Sequence, residues 1–339
     1  MRGESCFLWA MLMIAIVPPP SDPSLASLAY GGMLGEGWEV RAFNSIDDVP
    51  DDVAAEGEFL VAPPGAGEVD VRFFKRAPNL RLVQIPGHGF DHVNLSDAAA
   101  AGVPVATVMS SGAEAHTVAE MAILLAGVAS RRVLQGDRAV RDGRWGALAM
   151  LQEGVFELAG KTIGLVGLGR IGREVAKRAR GFDMRVIYHD VFRATPEQEG
   201  EIGVEFRELD TLLAEADIVS LHAPLTPETR GLMNERTLAL MKPNAVLVNT
   251  SRGPLVEATA LAKALRDKTI RAAAIDVFDP EPPPADLALY ELDNVVLSPH
   301  MAGVTGESIL RIIWAALQNC LRVARGEAPL DVVTEGSSH

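Results

Sequence analysis

The stretch Thr162-Ile163-Gly164-Leu165-Val166-Gly167-Leu168-Gly169-Arg170-Ile171-Gly172-Arg173-Glu174-Val175-Ala176-Lys177-Arg178 decides the reading of this chain. It opens on an apolar run that reads as a strand, passes three glycines spaced G-x-G-x-x-G, and closes on helix-forming residues. Each glycine has a physical task in such a turn. Gly167 permits the tight bend, Gly169 lets a pyrophosphate approach the backbone, and Gly172 allows close helix–strand packing. The helix then presents unsatisfied N–H groups and a positive dipole end to the phosphates. The next strand ends near Asp190, 18 residues beyond Gly172. A carboxylate there accepts hydrogen bonds from ribose hydroxyls and repels a 2′-phosphate, so NAD is favoured over NADP. Arg193 lies close by and would soften that exclusion.

On both sides of this stretch, short apolar runs alternate with helical patterns, the signature of a doubly wound α/β fold with a mainly parallel sheet. Before it, strands are expected at Met13–Val17, Glu39–Ala42, Phe59–Ala62, Leu82–Ile85 and Val105–Thr107, followed by a long helix from about Ala113 to Arg132. Apolar residues at Val118, Met121, Ala122, Leu124, Leu125 and Val128 cover most of that helix, which predicts burial between domains. After it, strands are expected at Arg185–Tyr188, Asp217–Leu221, Ala245–Asn249, Ala272–Asp276 and Val295–Leu297. A last helix over Ser308–Arg325 carries one apolar face, and the tail Thr334–His339 reads as loose.

With 339 residues, 48% hydrophobic and 22% charged, the chain has material for two globular cores. A net charge of −14 argues against non-specific nucleic-acid binding. Cys6 and Cys320 are the two cysteines, too few for a disulfide framework or a zinc motif, which fits a cytoplasmic protein. The run Phe7 to Val17 follows Arg2 and is open to two readings, a buried first strand or the core of a signal segment. It is too short to span a bilayer, and no other stretch approaches that length, so no membrane contact is expected.

Three segments place polar residues just past apolar strands, where open α/β sheets bind ligands. They contain Arg252, Glu281 and His300. Reduction of a carbonyl by hydride needs a proton donor for the oxygen, and histidine titrates in the right range. A carboxylate beside it stabilises the imidazolium. An arginine holds a substrate carboxylate through two parallel hydrogen bonds. Spacing alone leaves each residue open to an ordinary surface role.

These segments, with the glycine loop and Ala216-Asp217-Ile218-Val219-Ser220-Leu221-His222-Ala223-Pro224-Leu225-Thr226-Pro227-Glu228-Thr229, resemble the D-isomer-specific 2-hydroxyacid dehydrogenase family. The resemblance runs from about Leu80 to Val323 and is weaker in the N-terminal segment. It implies interconversion of a small 2-keto acid and a D-2-hydroxy acid with NAD. His300 would be the acid/base, Glu281 its partner and Arg252 the substrate anchor. Arg170 and Ile171 would meet the pyrophosphate, Asp276 the nicotinamide end, and Thr250 and Ser251 the cofactor cleft. His222, Pro224 and Thr229 would lie near the cofactor, although Pro224 also explains the local turn. Thr117 would either reach a phosphate or simply cap and pack its helix.

The loop Pro86-Gly87-His88-Gly89-Phe90-Asp91 resembles the family's substrate loop, with Gly87, His88 and Gly89 as substrate contacts. His88 replaces a small or apolar residue, and it either alters substrate choice or faces solvent. Glu114 and His116 match no family role. The resemblance further implies two Rossmann-like domains. A flavodoxin-like, discontinuous substrate domain (1–108 and 298–339) would carry an inserted NAD-binding domain (109–297), with the active site in the cleft between them. A homodimer is expected, with Trp145 capping the partner's site. The family also contains transcriptional corepressors, so a cofactor-sensing binding protein is the competing reading. Formate dehydrogenase is disfavoured because that branch lacks the acid at Glu281, and phosphite oxidation is remote.

Overall fold

The computed structural model describes residues 11–17, 19 and 21–335. Strands among them, in chain order, are β1 (Met11–Ile16), β2 (Trp38–Phe43), β3 (Phe59–Val61), β4 (Leu82–Gln84), β5 (Val105–Ala106), β6 (Thr162–Val166), β7 (Arg185–His189), β8 (Glu205–Phe206), β9 (Ile218–Leu221), β10 (Val246–Asn249), β11 (Ala272–Ile275), β12 (Val295–Leu297) and β13 (Val332–Val333). They form two sheets in two compact units. Unit 1 takes the chain up to Glu114 and resumes at Gly306; unit 2 takes Ala115–Thr305.

The sheet of unit 1 has the order β13-β5-β4-β3-β1-β2, parallel except for β13, which runs antiparallel to β5. Without that edge strand, the order is the flavodoxin-like 2-1-3-4-5. β1 lies inside the sheet, between β2 and β3. Its alternate residues enter two different cores. Leu12, Ile14 and Ile16 pack with Val53, Phe73 and Val83, while Met13 and Ala15 pack with Phe59, Leu317 and Cys320. A strand covered on both faces has no need of polar positions, which explains the unbroken apolar run. Met11–Ile16 therefore belong to the fold; the part of the run before Met11, and Cys6, lie outside the described residues. Cys320 is a free, buried thiol.

The helix Gly306–Ala324 brings the chain back onto unit 1. Asn319 is its anchor: Nδ2 donates to Gln84 Oε1 at 2.7 Å, and Oδ1 accepts from Leu330 N at 2.8 Å. That clasp delivers β13 to the sheet edge, immediately before the tail expected to be loose. Residues 336–339 of that tail lie outside the described residues.

Unit 2 is an all-parallel sheet of order β12-β11-β10-β9-β6-β7-β8. Counted from β6, this is the doubly wound order 3-2-1-4-5-6, extended by one strand. The direction of winding reverses at β6, which pairs with β7 on one side and β9 on the other. A crevice for a ligand opens at the carboxyl ends of such strands. Helix Arg170–Gly181 covers one face together with helix Ala115–Arg131, and small residues (Ala119, Ala122, Ala126, Ala176, Ala179) let the two approach. The opposite face is closed by helices Leu209–Glu215, Glu235–Leu240 and Ala258–Arg266.

Helix Ala115–Arg131 is built into unit 2. Its apolar residues pack on β10, β11, β12 and helix Arg170–Gly181, all inside unit 2, and Leu124 on the outer side is 62% exposed. The helix stops where Arg132 takes a left-handed φ of 52°. None of the described helices is long and apolar enough to cross a membrane.

Candidate active site

The glycine loop joins β6 to helix Arg170–Gly181, as its sequence pattern requires. Gly167 has φ +102°, and a Cβ there would fall 2.6 Å from the carbonyl oxygen of His222. A Cβ on Gly172 would strike the carbonyl oxygen of Gly167. Gly169, by contrast, has no atom within 4 Å of where its Cβ would stand. The loop is thus tight on its inner side and open at the helix N-terminus, as a pyrophosphate site must be. Gly169 and Arg170 are exposed there and Ile171 is half-buried.

Asp190 follows β7 directly. One of its oxygens accepts from Leu168 N at 2.7 Å, the other from Phe192 N at 3.0 Å. The carboxylate therefore braces the glycine loop and is held at the crevice in a fixed orientation. Each oxygen retains a further lone pair for ribose.

The loop after β9 is built by its own polar groups. His222 donates its N–H to Val166 O at 2.7 Å, and its Nε2 lies 2.9 Å from Ser220 Oγ. Burial pushes this imidazole down to about 4, so it is neutral at ordinary pH. The Thr229 hydroxyl donates to Pro224 O at 2.7 Å and accepts from Thr226 N at 2.7 Å. It clasps the Pro224–Thr229 turn, a task the sequence reading did not give it. Ser251 likewise donates its hydroxyl to Ala223 O at 2.6 Å, tying the loop after β10 to the loop after β9. Asn249 organises the same loop, accepting from Ser251 N and donating to Arg252 O at 2.9 Å. Thr250 differs: its Oγ1 is buried and has no hydrogen-bond partner among the described residues. An orphaned hydroxyl beyond the end of β10 and an open phosphate cradle beyond β6 both fit a dinucleotide. Thr117 is buried in the first turn of helix Ala115–Arg131.

Past β11 and β12, the chain assembles an imidazole–carboxylate pair. His300 Nδ1 lies 2.6 Å from Glu281 Oε2, and Glu281 Oε1 accepts from Phe278 N at 2.8 Å. The hydrogen bond to Glu281 raises His300 above the usual histidine range, against opposing burial and the positive charge of Arg252. Burial pushes the Glu281 carboxyl up, but the hydrogen bonds from His300 and Phe278 N, with the charges of His300 and Arg252, bring it below its ordinary value. Arg252 is half-buried and donates Nη1 to Ser251 O at 2.8 Å. Gly253 follows because Phe278 crosses here; a Cβ on Gly253 would collide with its carbonyl.

Asp276 sets this arrangement from beneath. It is fully buried, and its carboxylate accepts from Ser298 Oγ at 2.5 Å, Met301 N at 3.0 Å and Ala302 N at 2.8 Å. Its carbonyl accepts from His300 N at 2.7 Å. Every described hydrogen bond of this side chain grips the loop that carries His300. Within that grip His300 adopts φ +49°, a left-handed conformation uncommon for a residue with a side chain.

In unit 1, Gly87, His88 and Gly89 follow β4. His88 is not solvent-facing. Its Nδ1 lies 2.8 Å from Glu114 Oε1, with side-chain exposures of 16% and 17%, and its Nε2 is buried with no hydrogen-bond partner among the described residues. Glu114, given no role from sequence, thus has a definite one. His116 is exposed and lies 3.0 Å from Glu174 Oε2 on helix Arg170–Gly181.

Residues 122–302 match the sequence family described as "D-isomer specific 2-hydroxyacid dehydrogenase, NAD binding domain". The chain belongs to this family. Among its relatives, a glyoxylate reductase of Korarchaeum cryptofilum is 42% identical over 269 residues, 79% of this chain and 80% of that one. A glyoxylate reductase of Pyrococcus furiosus is 37% identical over 311 residues, 89% of this chain and 91% of that one. The second match is longer than the Leu80 to Val323 stretch from which the family was read. A solved D-lactate dehydrogenase of Aquifex aeolicus, complexed with NAD and lactic acid, superposes with a TM-score of 0.81 at 26% identity, covering 93% of this chain and 96% of that one. This 2-hydroxyacid dehydrogenase is an NAD-dependent oxidoreductase interconverting 2-keto and 2-hydroxy acids. These relatives are enzymes, so the corepressor reading gains no support from them.

Proposed function

We propose that this dehydrogenase reduces a small 2-keto acid of the glyoxylate kind to its D-2-hydroxy acid, with His300 as the acid/base. The observation that carries the reading is the His300–Glu281 contact of 2.6 Å, with Arg252 close enough for its charge to act on both residues. NADH, when bound, supplies the hydride. Gly167, Gly169, Arg170, Ile171 and Gly172 hold its pyrophosphate, Asp190 its ribose, and Thr250 offers the orphaned hydroxyl. Arg252 takes the substrate carboxylate through paired hydrogen bonds. Protonated His300 gives its proton to the substrate's carbonyl oxygen as the carbon becomes tetrahedral, and Glu281 stabilises the imidazolium beforehand. Unit 2 acts as the cofactor domain, and Gly87, His88 and Gly89 are kept as substrate contacts on the strength of the family resemblance alone.

The assignment of a small substrate draws on the glyoxylate reductases at about 40% identity. A homodimer belongs to the same proposal. It is supported by the exposed apolar side chains Val140, Trp145, Leu148 and Leu151, the second of them 89% exposed. Sedimentation as a monomer at micromolar concentration would remove it. A cytoplasmic location is supported by the free Cys320 thiol and the acidic composition.

The test is His300→Asn. Reduction of glyoxylate, hydroxypyruvate and pyruvate is expected to fall by about 10²- to 10⁴-fold, the usual weight of a positioned acid/base. NADH affinity, read by fluorescence titration, is expected to stay within about twofold of the parent. Undiminished turnover would overturn the assignment.

A further inference from the structure

We propose that Glu199 is a specificity-determining residue for the cofactor, holding Arg193 away from the position a 2′-phosphate would occupy and so reinforcing the exclusion of NADPH. The proposal rests on the placement of Asp190 at the adenosine ribose. Arg193 stands three residues beyond Asp190, at the carboxyl end of β7. Arginine is the side chain best suited to pair with a phosphate, through its planar fork of donors. From sequence alone, Arg193 argues for tolerance of NADPH and contradicts Asp190.

The geometry resolves the contradiction. One edge of the Arg193 fork is already engaged: Nε lies 3.0 Å from Glu199 Oε1 and Nη2 3.5 Å from Glu199 Oε2. Its guanidinium also sits 4.8 Å from the centre of the Phe206 ring, at cation–π range. Glu199 is itself fixed. The Tyr188 hydroxyl donates to Glu199 Oε1 at 2.9 Å and accepts from Ala194 N at 2.9 Å, and the Tyr188 ring is fully buried in β7. Tyr188 thus serves as a rigid pedestal that binds both the carboxylate and the backbone next to Arg193. Glu199 rides on helix Pro196–Ile202, whose start is fastened by a capping box between Thr195 and Gln198. The Glu199 side chain is 15% exposed, whereas Arg193 is 60% exposed. The carboxylate is therefore the fixed member of the pair and the arginine the movable one.

A 2′-phosphate arriving here would meet the Asp190 carboxylate directly. It would also have to share the nearby guanidinium with a second carboxylate already in place. NAD, which presents hydroxyls, meets neither penalty.

The experiment is equilibrium binding of NADPH and NADH to the full-length protein, read by fluorescence energy transfer from its tryptophans. Glu199→Gln keeps an acceptor for Tyr188 while removing the charge that holds Arg193. It is expected to tighten NADPH by up to about fivefold, the upper scale of an exposed charge pair. NADH affinity and the thermal unfolding midpoint should be unchanged. Adding Arg193→Ala to Glu199→Gln is expected to erase the gain, and Glu199→Ala should reproduce it. The proposal is overturned if neither Glu199 variant tightens NADPH, or if the gain survives Arg193→Ala. Failure of the unaltered protein to bind NADH would instead overturn the Asp190 assignment, and this proposal with it.

Discussion

The chemistry at His300 depends on one hydrogen bond, and its pH behaviour follows from the sign of that bond. Glu281 raises His300, so the imidazolium persists to a higher pH than an isolated histidine would allow. Reduction needs the protonated ring; its rate should hold at low pH and fall as pH rises through the raised value. In Glu281→Gln the raising partner is lost while burial and Arg252 still lower His300. The falling limb of the reduction profile should then move to lower pH, with the greatest loss of rate on the alkaline side of the profile and the least on the acid side. An unmoved limb would show that Glu281 does not set the proton. The choice of His300→Asn over an alanine replacement comes from the same residue's backbone. Asparagine tolerates the left-handed φ of 49°, whereas alanine meets a steric cost there of about 1–2 kcal/mol and would disturb the loop as well as the ring. At this scale the sequence was legible where motifs converge: Glu281 and His300, expected to pair, lie 2.6 Å apart. It was not legible where a side chain's bonds depend on what folds beside it. Thr229 and Ser251 turned out to hold loops, and His88 meets Glu114 only because separate stretches of unit 1 converge.

Among the elements, the loop from Ser298 to Ala302 depends on Asp276, a fully buried carboxylate at the end of β11. Removing it leaves the Ser298 hydroxyl and the N–H groups of Met301 and Ala302 without their acceptor. An unsatisfied buried group costs about 1–3 kcal/mol, so Asp276→Ala should lower the urea midpoint markedly. It should also reduce turnover while leaving NADH affinity within about threefold. A large loss of NADH affinity would instead favour the direct nicotinamide contact expected from sequence. Long apolar runs declared their strands, since a strand buried on both faces leaves a continuous signature, as β1 and β10 do. The two-residue strands β8 and β13 left none, and helix Ala147–Gln152 buries no residue by which a periodicity might be read. The order of strands likewise follows from pairing between distant segments, which spacing along the chain does not encode.

At the scale of the whole molecule, the chain leaves unit 1 at Glu114 and rejoins it at Gly306. Everything between is one uninterrupted piece. It holds two buried clusters of its own, one on each face of a complete seven-stranded sheet, along with the glycine loop, Asp190 and Thr250. Unit 1, by contrast, draws on both ends of the chain: Leu317, Cys320 and Val323 pack with Met13 and Phe59 in a single cluster. The two units therefore differ in what the knife leaves behind. A gene encoding only residues 115–305 should yield a polypeptide that unfolds cooperatively in urea and captures NADH, yet turns over no keto acid. The remainder should need its two pieces spliced, Glu114 to Gly306 through a short linker, before it folds at all. A 115–305 fragment that melts without cooperativity would contradict this autonomy. The insertion would then be a property of the drawing and not of the folding chain.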